Sequence, residues 1–493
     1  MHRLTRFSSA LGLSLLSLAA VSACSDDDNT NPAVDAGNDA DAQPTEDAVK
    51  LTRECTDALE SVAGDPGPLE ALAKGTVIKC AAEEVLTKEQ LDTRMRGIEY
   101  EGTGPTSGVR ILRVSYRTTR GDASSTAAVS SAILYLPTAP RTLPLPLIVD
   151  SHGSVGQAAK CAPSITSVHQ LQALALVGGG YAVIAPDLAG YANYGAAGNP
   201  PNAYASATDV SHSTYDSARA LKTLLGDNAS DKVVLVGLSQ GGHSTLASLA
   251  DRGGYGADLN VVATVAYAPL WLSQKTWGAL FAIGGNFPIA TNAAANGVSV
   301  WYHYTHAELL DGKGAGIALF KPEKRAAIQQ FIDDTCWGPS YPVLEGAGTV
   351  ITDLFDADFV NSIQNAATND APCQDATCSK WIGRYLEDRP HLTGKAATTP
   401  LLVPYGDSDM TLTSDRAACA FDRLRADSKN LSVCVKRGAG HTGIVGVTSD
   451  YVNEWISHYT YGTAAVPACD LDETAIVDKN GAKVICSVPP SNE

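Results

Sequence analysis

The sequence predicts an α/β fold, a mostly parallel sheet wound with helices on both faces. Two observations lead there. Near-continuous runs of Val, Ile, Leu and Ala, the pattern of strands buried on both faces, alternate with amphipathic stretches of helical spacing. One such run, "KVVLVGLS" (232–239), breaks at Ser239 between Gly237 and Gly241, where a strand passes sharply into a helix.

Taken in order, "VRILRVSYRT" (109–118) and "AAVSSAILYLP" (127–137) read as strands, and "PLPLIVDSHG" (144–153) as an apolar strand ending in a glycine turn. "SVHQLQALALVGGG" (167–180) has helical spacing and a glycine stop. "YAVIAPD" (181–187) is the next strand and "HSTYDSARALKTLLG" (212–226) the next helix. After "KVVLVGLS" come a helix from about residue 242 to 250 and the strand "LNVVATVAYAP" (259–269). The alternation then stops over 270–397, which carries most of the tryptophans and short helical stretches such as "PEKRAAIQQFIDDT" (322–335). It resumes with "TPLLVPYGDSD" (399–409), "TSDRAACAFDRLRA" (413–426), "LSVCVKRGAGH" (431–441) and "SDYVNEWISHYT" (449–460). The core is therefore expected in two parts, 109–269 and 398–460. A large cap over 270–397 falls between the sixth and seventh core strands, and a tail follows over 461–493. Residues 51–108 are expected as an extension of short helices and loops.

The first fifty residues are of another kind. Residues 1–23 have a basic head (His2, Arg3, Arg6), a short apolar run and small residues before Cys24, the pattern of an export signal. Val21-Ser22-Ala23-Cys24 resembles a bacterial lipobox, which implies that Cys24 is acylated and anchors the mature chain to a cell-envelope membrane. Residues 24–50 hold eight acidic residues and little to bury, the composition of a disordered, self-repelling tether. That segment carries close to half of the net charge of −17, so the acidity does not mark an acidic catalytic surface. There is no basic patch with interleaved aromatics, which points away from nucleic acid. Ten cysteines besides Cys24, an even number in an exported chain, read as disulfides. Local spacing favours Cys55–Cys80, Cys419–Cys434 and Cys469–Cys486, leaving Cys161, Cys336, Cys373 and Cys378.

The chemistry is expected around Ser239. Side chains at 237 and 241 would collide with the neighbouring strand and helix in a nucleophile elbow, and the turn aims the helix's free N–H groups at an oxyanion formed beside the serine. A serine hydroxyl needs a base. His441 ends "KRGAGH", a glycine-rich loop just past the last strand. The acid should lie between the two in sequence. "PYGDSDMTL" offers Asp407 and Asp409, with Asp409 favoured by its place in the turn and the other left to cap that turn. The oxyanion hole would use the backbone N–H of Gln240 and a donor from "DSHGSVG", Ser154 first and Val155 second, with His152 a structural hydrogen-bonding group.

"DSHGSVGQAAKCAPS", "GYAVIAPDLAGY" and "GLSQGGHS", in that order, resemble the secretory-lipase group of the α/β-hydrolases over about 110–270 and 398–460. His152-Gly153-Ser154 stands where the family more often has His-Gly-Thr. The resemblance implies the α/β-hydrolase fold, a serine hydrolase acting on an ester, often a lipid, and a lid in the gap occupied by 270–397. The expected activity is carboxylic ester hydrolysis of a small-molecule or lipid ester by Ser239, His441 and Asp409 through an acyl-enzyme, with no metal or organic cofactor. A serine exopeptidase would need a carboxylate pair for a free amine, for which "FIDDTC" and "LFDADF" are candidates; a ligand-binding lipoprotein without catalysis is the third reading. Trp271, Trp277, Phe281 and Trp301 could line an acyl pocket or form the cap's own core.

Overall fold

A mostly parallel nine-stranded sheet organises the chain, in the order β1-β2-β3-β5-β4-β6-β7-β8-β9. The computed structural model describes residues 49–282, 288–467 and 469. The signal, Cys24, the tether up to residue 48, and Cys486 lie outside the described residues. The strands are β1 (Val77–Leu86), β2 (Val109–Thr119), β3 (Ala127–Pro137), β4 (Leu145–Ser151), β5 (Ala182–Pro186), β6 (Ala229–Leu238), β7 (Asn260–Tyr267), β8 (Leu401–Gly406) and β9 (Leu431–Lys436). From β5 through β4 to β9 all neighbours are parallel, whereas β1, β2 and β3 join antiparallel, β3 pairing with β5. Every residue of β4, β5 and β8 is buried, as parallel strands covered on both faces must be.

The helices Leu171–Gly178 and Gly443–Tyr461 pack together on one face, and Ala207–Leu225 and Gln240–Ala250 on the other. The sheet is thus doubly wound, as the alternation predicts. All of the core strands lie where the hydrophobic runs place them.

The segment before residue 109 corrects the sequence reading. It contains the ten-residue strand β1 and the helix Lys88–Arg96. "VIKCAAEEVL" hides its strand behind Lys79, Glu83 and Glu84. On an edge strand those charges are affordable because each finds a partner. Arg113 holds Glu83 through bonds of 2.6 and 2.5 Å, Arg94 holds Glu84 at 2.6 and 3.1 Å, and Lys79 Nζ donates to the Ser61 carbonyl. With β1 added, the insertion expected between the sixth and seventh core strands lies between β7 and β8.

That insertion is helical, with long helices at Ala293–Leu310, Ala357–Asn369 and Ala376–Glu387. It has its own apolar core, in which Trp277, Phe281 and Trp301 are buried; Trp301 stacks on Phe331 at 5.3 Å. Trp271 belongs instead to the core under the sheet. A buried polar knot ties cap to core. Asp388 accepts from His306 Nε2 at 2.8 Å, from the Tyr302 hydroxyl at 2.7 Å and from the Ala207 N–H at 2.8 Å. Its backbone carbonyl meets His243 Nε2, on the helix that follows Ser239, at 2.7 Å.

Four disulfides are described: Cys55–Cys80, Cys161–Cys336, Cys373–Cys378 and Cys434–Cys469. The first follows the spacing. Cys434–Cys469 rules out the expected Cys419–Cys434 and Cys469–Cys486 pairs, and Cys419 is itself disulfide-bonded. Spacing measures loop length, whereas pairing requires the two Cα atoms to be close, here 5.4 Å apart across the last helix.

Candidate active site

β6 stops at Leu238, and Ser239 takes φ 60° and ψ −117° before the helix Gln240–Ala250 begins. Positive φ is strained for a residue with a Cβ and persists only where the surroundings impose it. Here they do. The Ser239 N–H donates to the Tyr267 carbonyl at 3.0 Å, and its carbonyl accepts from Leu270 N at 2.8 Å and His243 N at 3.0 Å. The flanking glycines have no room for a side chain. A Cβ at 241 would lie 1.9 Å from the Ser151 carbonyl oxygen, and one at 237 would lie 2.3 Å from that of Gly241. The serine is left half-buried at the sheet's carboxyl edge, at the positive end of a helix whose first N–H groups have no intrahelical acceptor.

Asp409 and His441 meet across the turns that follow β8 and β9. Asp409 Oδ2 lies 2.6 Å from His441 Nδ1, with the carboxylate side chain fully buried and the imidazole 15% exposed. Asp409 Oδ1 accepts from Thr411 N and Leu412 N, both at 2.8 Å, so the carboxylate is held from both sides. Close approach of the two turns depends on Gly406, where a Cβ would fall 2.2 Å from the Ala439 carbonyl oxygen. Asp407 is turned elsewhere: its Oδ1 accepts from Gly438 N at 2.7 Å, and its N–H donates to Lys436. It braces the two turns against each other. Ser239 and His441 are not hydrogen-bonded to each other in this structure.

The loop after β4 passes close over the nucleophile, since a Cβ at Gly153 would lie 3.7 Å from that of Ser239. Among the described residues the Ser154 N–H has no hydrogen-bond partner, and Gln240 opens its helix with a free N–H. His152 is buried with its ring nitrogens against the Gly153 carbonyl at 2.6 Å and the Asp187 carbonyl at 3.2 Å, a bracing position. Sequence reasoning missed the groups that hold this loop. The Tyr204 hydroxyl meets Ser154 Oγ at 2.7 Å, the Tyr191 hydroxyl donates to the Gly156 carbonyl at 2.5 Å, and Trp337 N donates to the Val155 carbonyl at 2.8 Å. Only the unassigned pair Cys161 and Cys336 carried a signal of the last contact.

Beside the elbow, Pro269, Trp271, Tyr405, Leu412 and Phe421 enclose a narrow apolar slot of about 10 Å3. A roomier cavity of about 490 Å3 lies between Tyr194, Asn199, Tyr304, Glu308, Lys313 and Asp333 and includes none of the residues above. Three of the four carboxylates in the cap's two acidic pairs make structural contacts. Asp333 accepts from Tyr194 and Gln329, Asp334 pairs with Lys160, and Asp356 caps its helix. Among the described residues no group of His, Cys, Asp and Glu has the arrangement of a metal site.

A nine-stranded, mostly parallel sheet with a serine on a forced turn after β6 and a hydrogen-bonded Asp–His pair on the turns after β8 and β9 has the form of an α/β-hydrolase. The chain belongs to the alpha/beta hydrolase family, whose model matches residues 152–451, more than half of its length and including Ser239, Asp409 and His441. No curated protein matches it in sequence. Among solved structures, the rice cell wall degrading esterase LipA from Xanthomonas oryzae superposes with a TM-score of 0.57 at 16% identity, covering 79% of this chain and 98% of that one. A hydrolase from Legionella pneumophila gives 0.61 at 16% identity, covering 79% and 100%. Candida antarctica lipase A in its closed state gives 0.57 at 18% identity, covering 82% and 86%. At such identities the likeness is one of fold.

Proposed function

We propose that the protein hydrolyses carboxylic esters through an acyl-enzyme on Ser239. The observation that carries this reading is the Asp409–His441 hydrogen bond of 2.6 Å on the turns after β8 and β9, together with a serine forced into φ 60° after β6 at the same carboxyl edge of the sheet. His441 Nδ1–H donates to Asp409, which leaves Nε2 unprotonated as the base for the Ser239 hydroxyl. Serine attacks the ester carbonyl, and the N–H groups of Gln240 and Ser154 receive the oxyanion. His441 then protonates the departing alcohol, and a water activated by the same imidazole releases the acid. The likeness in fold to an esterase and a lipase supports an ester over a peptide.

The substrate would be a small-molecule or lipid ester. Acylation of Cys24 would place the enzyme on a cell-envelope membrane, with the acidic segment 24–50 as its tether. Hydrolysis of p-nitrophenyl esters from acetyl to palmitoyl, by wild type and Ser239→Ala, tests the reading. Turnover should fall by at least about 10^3-fold in the variant, and the preferred chain length would define the acyl specificity. Equal rates in both proteins would reject Ser239 as the nucleophile.

A further inference from the structure

The loop that would supply the oxyanion donor is irregular, and much of what fixes it comes from the cap. Residues 152–155 belong to no helix or strand. On the core side they are held by Tyr191 and Tyr204. On the cap side a three-residue segment following the helix Arg325–Asp334 is stitched to the same loop. Gly156 forms an isolated antiparallel bridge with Cys336, Trp337 N donates to the Val155 carbonyl at 2.8 Å, and the Cys161–Cys336 disulfide closes the contact over 175 residues of chain. The fit is tight. Gly156 has φ +103°, and a Cβ there would lie 2.5 Å from the Thr335 carbonyl oxygen and 2.7 Å from Cys336 Cα.

We propose that the cap segment Thr335–Trp337 is a positioning element for the oxyanion hole, setting the place of the Ser154 N–H through Val155 and Gly156, with the Cys161–Cys336 bond as its covalent lock. The proposal rests on the ester-hydrolase reading above. An oxyanion donor must sit about 3 Å from where charge develops, and a displacement near 1 Å can cost about 10^2-fold in rate. A loop without ladder hydrogen bonds of its own keeps that tolerance only if its neighbours impose it. Cys336 and Trp337 would act through Val155 and Gly156, so their loss should appear in kcat and not in ground-state binding.

The test compares steady-state kinetics of the full chain carrying Cys161→Ser and Cys336→Ser with wild type and with a Cys373→Ser, Cys378→Ser control in the same cap. The proposal expects kcat on a short p-nitrophenyl ester to drop about 10- to 100-fold with KM within about threefold, and the control to stay within about twofold of wild type. A 161/336 variant with wild-type kcat, or a control that loses as much, overturns it. If the variant does not fold, wild type is reduced stepwise with a phosphine and its free thiols are mapped by alkylation. Activity should then fall in step with thiols at 161 and 336 and return on reoxidation; activity that follows other thiols, or none, overturns the proposal. Failure of the underlying reading is distinguishable, because Ser239→Ala would then hydrolyse the ester as fast as wild type, whatever the state of the disulfide.

Discussion

At the scale of single residues, the site is defined by where two carboxylates point. Asp407 and Asp409 stand two apart in one turn, and turn chemistry alone suits either for the acid. The structure separates them by partner: Asp409 reaches His441 Nδ1 while Asp407 binds Gly438 N. Asp409→Asn should leave the turn near its present shape, because Oδ1 can still accept from Thr411 and Leu412. It would present an amide to the imidazole and favour the wrong tautomer, so kcat should fall by about 10^3- to 10^4-fold. Asp407→Asn should lower kcat by less than about tenfold, and because its amide oxygen can still accept from Gly438 N the cost to stability is the lost charge assistance of that bond, about 1 kcal/mol or less. Measuring kcat and melting temperature for both variants checks the assignment, and reversed effects would exchange the roles. The strand-end placement of Ser239, Asp409 and His441 was legible in the sequence, because each follows an apolar run and strand ends in a parallel sheet converge on one edge. Tyr191, Tyr204 and Trp337 were not legible. They act through long-range hydrogen bonds from loops and cap, and nothing in their local sequence records that contact.

At the scale of elements, the cap depends on a buried network whose histidines sit far from water. Burial pushes the His303 imidazole down to about 3 and also lowers that of His243. A neutral ring suits the contacts of His303, with Nδ1–H donating to the Ser299 carbonyl and Nε2 accepting from the Tyr385 hydroxyl, both at 2.7 Å. The folded values lie below the unfolded value of about 6.5, so the unfolded chain takes up protons first as pH falls. Stability from these groups is therefore complete above about pH 6.5 and is lost progressively below it, by up to about 1.4 kcal/mol per pH unit for each group. A thermal melt series from pH 7 to pH 5 should show a falling transition temperature, and a flat profile would contradict neutral burial of both rings. His303, in "WYHYTHAELL", and His243, in "GLSQGGHS", gave no sequence signal because Tyr385 and Asp388, the groups they meet, lie far away along the chain. Edge strand β1 was hidden for a related reason: Lys79, Glu83 and Glu84 break its hydrophobic run, and their partners Arg94 and Arg113 lie on other elements. The parallel strands of the core were plain because burial on both faces leaves them apolar over most of their length, with Asp150 of β4 a buried exception.

At the scale of the whole molecule, a hydrolase core, a helical cap and a tether predicted from composition are arranged on one chain. The cap is threaded through the sheet's carboxyl edge between β7 and β8 and is fastened by the Asp388 knot and by Cys161–Cys336. Its aromatic residues Trp277, Phe281 and Trp301 are buried in its own core. All of this has a hydrolytic purpose only if Ser239 is a nucleophile. The direct measurement is labelling of the folded protein with a fluorophosphonate, followed by mass-spectrometric location of the adduct. We expect a single stoichiometric adduct on Ser239, absent in Ser239→Ala and strongly slowed in Asp409→Asn. An unlabelled protein, or an adduct on another serine that persists in Ser239→Ala, would contradict the account.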